Sequence, residues 1–139
     1  MERKITKGNG EALQKVLEFV MLEETKHEAA ASVAGAQKNW DTMNVETQKA
    51  ACFAEIHGFI DQMIADAEKE SSKMEDEEAL NRILEFVTEE EEKNADEVYT
   101  YTQSKNWNAT MIALEKMGCF SLARVFVQNI LEDLAIERD

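Results

Sequence analysis

The sequence predicts an all-α fold: an up-down-up-down four-helix bundle formed by two tandem helical hairpins. Three observations carry this expectation. The 139-residue chain has no proline and only five glycines, so little interrupts a helix. Its 44% hydrophobic residues are enough to build a core at this length, without metals or disulfides. It also aligns with itself, without gaps, at an offset of 67 residues.

At that offset Glu11-Ala12-Leu13 meets Glu78-Ala79-Leu80, and Leu17-Glu18-Phe19-Val20 meets Leu84-Glu85-Phe86-Val87. Lys38-Asn39-Trp40 meets Lys105-Asn106-Trp107, and Cys52-Phe53 meets Cys119-Phe120. About 19 of some 60 aligned positions are identical. The repeats span residues 9–70 and 76–137, within one expected domain covering 1–139.

Each copy reads as two helices. In the first, Leu13, Leu17, Val20, Glu24, His27, Ala31 and Ala34 step by three and four along one stripe. Phe53, His57, Ile60, Ile64 and Ala67 do so in the second, flanked by Cys52, Ile56, Phe59 and Met63. The corresponding stripes of the second copy run from Leu80 to Tyr101 and from Phe120 to Leu134. Asn9, Asp41, Asp76 and Asn108 have side chains suited to N-caps, which places helices near 10–37, 42–70, 77–104 and 109–137. The hairpin turns are expected at Asn39 and Asn106, a residue type that tolerates the left-handed conformation. The Ser71–Glu75 linker is too short to run back along a helix of about 28 residues, about 42 Å long. The helices must therefore alternate in direction.

Polar residues on the apolar stripes are the candidate chemistry. Counting back from Trp40 sets Glu24 level with His57, and counting from Trp107 sets Glu91 level with Arg124. Interior ion pairs are the simplest expectation, because a buried carboxylate needs a partner. The alternative is a metal centre. Bundles of the ferritin and rubrerythrin type hold two irons with inward Glu residues and Glu-x-x-His pairs. Glu24 and His27 have that spacing, and His57 and Glu91 would complete a ligand set for iron, zinc or manganese. Asn94 and Arg124 stand at the second-copy equivalents of His27 and His57, which breaks the pattern there.

Net charge is −14, and residues 68–97 hold thirteen acids against four basic residues. This balance disfavours direct contact with nucleic acid or anionic lipid and favours a basic protein partner. The leading expectation is a non-catalytic, acidic interaction module that needs no cofactor. By analogy of charge and size with small acidic helical proteins of phages and mobile elements, it would inhibit a basic, nucleic-acid-binding partner. Glu75, Asp76, Glu77, Glu89, Glu90 and Glu92 would form the acidic binding face. Trp40 and Trp107, at the two hairpin tips, would either plug the open end of the core or add an aromatic binding surface, with the plug expected. A scaffold that dimerises through a leftover apolar face is a further alternative, so a monomer or a homodimer is expected. Cys52 and Cys119 sit on helices expected to be diagonal, too far apart for a disulfide. Their spacing suits no metal site, and the absence of a leader-like or membrane-spanning run makes the cytoplasm the expected location.

Overall fold

Helix is the only regular structure among the described residues of the computed structural model, 10–70 and 74–138. There are four helices in this span: α1 (Glu11–Ala36), α2 (Trp40–Lys69), α3 (Asp76–Gln103) and α4 (Trp107–Arg138). α1 packs along α2 and α3 along α4, forming two hairpins that close into a bundle. None of these helices is long and apolar enough to cross a membrane.

The hairpin turns are tighter than the sequence suggests. α1 ends with Asn39 N–H donating to Ala34 O (2.8 Å) and Lys38 N–H to Gly35 O (3.0 Å), and Asn106 and Lys105 repeat this pattern on Tyr101 and Thr102. The paired bonds satisfy the last free carbonyls of the helix and require a left-handed residue between them. That residue is Lys38 (φ 61°) or Lys105 (φ 59°), not the asparagine. Asn39 and Asn106 instead cap the next helix, each accepting at Oδ1 (3.3 Å) from the backbone N–H of Thr42 and Ala109 respectively. One asparagine thus ends one helix and starts the next. This is why α2 and α4 begin at the tryptophans, and why Asp41 and Asn108 are not the caps.

Two other cap assignments change as well. Asn9 lies outside the described residues, and α1 starts after Gly10, whose φ of 102° suits a residue without Cβ. Asp76 lies in the first turn of α3, but its carboxylate serves a different helix. It is 3% exposed, and its Oδ2 accepts from Ala12 N–H at 2.9 Å. The second copy therefore caps the first helix of the first copy, satisfying an orphan amide with a negative charge at a positive helix end.

A continuous core runs through all four helices, with Val16, Val20, Phe53, Ile56, Ile60, Leu80, Ile83, Val87, Phe120 and Val127 at its centre. On α1 the buried line is Ala12, Val16, Val20 and Ala34, so the face turns slightly from the expected stripe and leaves Leu13 and Leu17 half-buried. The two hairpins are related by a pseudo-two-fold along the bundle axis. Phe19 of α1 stacks on Phe126 of α4 (centroids 4.1 Å apart), and their repeat equivalents Phe86 and Phe59 stack likewise (4.5 Å). The broadest contact between the hairpins is α2 on α4, not the expected diagonal separation. Small buried side chains, including Cys52, Cys119 and Ala123, allow this close approach.

Candidate functional site

The register arithmetic is realised in the side chains. His57 Nδ1 donates to Glu24 Oε1 at 3.1 Å, and its Nε2 lies 3.2 Å from Asp61 Oδ2. In the second copy, Arg124 grips Glu91 with a two-pronged contact, Nε to Oε1 at 2.6 Å and Nη2 to Oε2 at 3.2 Å. The Ser121 hydroxyl also donates to Glu91. These pairs are not interior, as the stripes implied. They are half-buried at the seam between the helices of each hairpin.

The four residues considered as metal ligands separate into different networks. Glu24 is joined to His57. His27 turns away and donates from Nδ1 to Glu46 Oε1 at 2.6 Å, with Glu23 3.7 Å from its Nε2. Glu91 is held by a cation, Arg124, which takes up the lone pairs a metal would need. Among the described residues no group of three or more His, Cys, Asp or Glu side chains is arranged to hold a metal ion. The geometry therefore gives no support to ferritin-like chemistry at these residues.

The Arg124 guanidinium holds Glu91 below the ordinary glutamate value of 4.5, Ser121 helps, and burial partly opposes this. A carboxyl whose pKa is depressed in the folded state stabilises the fold above its unfolded pKa. That contribution is lost as pH falls through the folded value. Unfolding free energy should therefore fall on acidification below about pH 4.5, and Glu91→Gln should remove part of that slope. Urea unfolding across pH 3 to 7 would measure it, with a loss of about 1 kcal/mol at neutral pH for this half-exposed pair.

His27 lies on a cleft of about 320 Å³ between α1, α2 and α4. Its charges are matched internally. Lys49 reaches Glu115 at 3.0 Å and Glu46 at 3.7 Å, while Glu23 stands 3.8 Å from Lys26. Cys119 is on the wall, and burial raises its thiol to about 11. Burial also raises the Cys52 thiol to about 12, helped by its proximity to Cys119. Both remain protonated thiols at neutral pH and are poor nucleophiles. The second copy puts Asn94 where His27 stands. It is buried, its Nδ2 donates to Glu90 O at 2.8 Å, and its Oδ1 has no hydrogen-bond partner among the described residues.

Of the acids expected to share one face, Glu75, Glu89 and Glu92 are exposed and the others are not. Glu75, Glu78, Glu85, Glu89, Glu92 and Asp96 are all exposed and recur at helical spacing within about 100° of arc. They form a ridge about 32 Å long, pointing away from the core, with Arg82 bound to Glu78 in its midst (3.0 Å). Asp76 does not belong to it, being buried as the cap of α1. Glu77 is half-buried off the ridge, and Glu90 is half-buried and paired with Lys93 at 3.0 Å. Glu78, Glu85 and Asp96 were missed, though their spacing from Glu75 and Glu89 is visible in the sequence. The equivalent face of α1 carries Leu22, Thr25 and Ala29 in place of Glu89, Glu92 and Asp96, so the ridge belongs to one copy only.

The tryptophans do not plug the core. Trp40 and Trp107 are 58% and 62% exposed, because each is the first residue after its capping asparagine and faces outward. The chain matches no family model, no curated protein and no solved structure.

Proposed function

We infer that this chain is a non-catalytic interaction module whose α3 ridge engages a basic surface on a protein partner. The observation that carries the reading is the one-sided ridge. Five exposed acids of α3, with Glu75 just before it, line one face, and only Glu78 and Glu85 have acidic counterparts in the first copy, Glu11 and Glu18. A bundle needs no such asymmetry for folding, since both faces are solvated and contribute little to the core. A line of like charges along one rigid helix attracts a complementary basic groove and speeds encounter with it. A groove of that kind is what nucleic-acid-binding proteins present, so the module would act as an inhibitor by occupying it. The two buried thiols suit a reducing compartment, and the cytoplasm is the proposed location.

The test is capture of basic nucleic-acid-binding proteins at low and high salt, followed by displacement of a labelled DNA duplex from whatever is captured. The triple reversal Glu75→Lys, Glu89→Lys, Glu92→Lys should weaken capture at least tenfold. Glu11→Lys with Glu18→Lys, on the matching face of α1, should leave it within a factor of two. Equal capture by the ridge variant and the native chain would overturn the reading.

A further inference from the structure

The exposed face of α4, whose Leu114, Gly118 and Leu122 also border the cleft beside His27, has a character found on no other face among the described residues. Trp107, Met111, Leu114, Leu122 and Val125 are each between 45% and 62% exposed, and together with Gly118 they fall on a single helical stripe. The duplicated face of α2 keeps the tryptophan as Trp40 but loses the other large apolar side chains, with Asn44, Thr47, Glu55 and Gly58 standing where α4 has Met111, Leu114, Leu122 and Val125. The hairpin architecture therefore does not require apolar residues at these positions.

From this face we propose that α4 is a self-association surface, on which a second copy of the chain docks antiparallel across a two-fold axis at Gly118. The stripe is self-complementary about that residue. Leu114 and Leu122 lie four positions to either side, and Met111 and Val125 lie seven. A two-fold at the centre sets Leu114 against the partner's Leu122 and Met111 against the partner's Val125, the reciprocal pairing of an isologous contact.

Gly118 suits the crossing point. It is exposed in mid-helix, where glycine costs about 1 kcal/mol relative to alanine, and a Cβ there would meet nothing within 4 Å. No packing among the described residues calls for a glycine at this position, whereas the close approach of another helix does.

Charge selects the occupant. Two chains of net charge −14 repel each other over most of their surfaces. Yet every exposed residue of α4 from Trp107 to Asn129 is uncharged, and the nearby Glu115 and Arg124 are bound to Lys49 and Glu91. The exposed area of the five apolar side chains is on the order of 500 Å² per chain. A symmetric pair would then cover about 1,000 Å², the lower bound for a specific interface. The proposal does not depend on the α3 ridge.

Sedimentation equilibrium of the whole chain, from micromolar to millimolar concentration, tests it. The native chain should reach a dimer, and Leu114→Glu with Leu122→Glu should weaken association at least a hundredfold while its melting temperature as a monomer stays unchanged. Gly118→Leu should weaken association at least tenfold without lowering helicity, which separates a docking defect from a folding defect. Gly118→Cys should cross-link into a covalent dimer under mild oxidation. A native chain that stays monomeric throughout, or a dimer indifferent to the leucine substitutions, would overturn the proposal. A monomer that instead takes up an amphipathic helix from another protein on this stripe would do so as well.

Discussion

Replacing Phe53 by alanine should lower the free energy of unfolding by about 3–5 kcal/mol, the largest single-residue effect expected in this chain. Phe53 is fully buried on α2. It meets Phe19 of α1 edge-on at 6.4 Å and lies parallel to the His27 ring at 5.8 Å. The ring thus underlies both the α1–α2 seam and the cleft floor, and its removal leaves a void that rigid helices cannot close. Total stabilities of ordinary domains are about 5–15 kcal/mol, so the variant should lose between about a fifth and all of its stability. Urea titration followed by far-ultraviolet circular dichroism measures this directly. A loss below about 1 kcal/mol would mean that the core around Phe53 is loosely packed.

Asp76→Ala should cost about 2 kcal/mol through the loss of its hydrogen bond from Ala12 N–H. The change leaves a buried amide on Ala12 without an acceptor and takes a carboxylate from the positive end of α1. It also cuts a polar tie between the two copies. Asp76→Asn keeps an acceptor and should recover roughly half of the loss. Amide exchange separates this effect from a general loss of stability, because Ala12 and the first turn of α1 should lose protection before the centre of the bundle does.

The residues show why the sequence carried the fold further than the site. Helix periodicity and a gapless repeat are one-dimensional signals, and counting outward from Trp40 and Trp107 was enough to bring Glu24 to His57 and Glu91 to Arg124. Asp76 misleads a linear reading. An acid just before an apolar run looks like the cap of its own helix, and only the packing of α1 beside α3 turns it toward Ala12. Asn39 and Asn106 suit either a left-handed helix end or an N-cap, and the three-residue junction assigns them to the second role, at the expense of a lysine at positive φ. The closeness of α2 to α4 follows from small buried residues on both, whereas a diagonal placement assumes helices of equal girth. The α4 stripe was in the sequence but was hidden by the core stripe on the same helix. Two apolar lines on one helix look like one broad face until the packing shows which of them is covered.

The pseudo-two-fold also bears on stoichiometry. Two identical hairpins associating without a tether would display every outer face twice, and a ligand of any face would meet two equal sites. Joined in one chain, the copies have diverged position by position: Leu22 against Glu89, His27 against Asn94, Thr47 against Leu114, Glu55 against Leu122. Each outer face now occurs once. Under the two proposals above, a ligand of the α3 ridge or of the α4 stripe would meet a single site per chain, and the four faces can be altered one at a time while the shared interior is left intact.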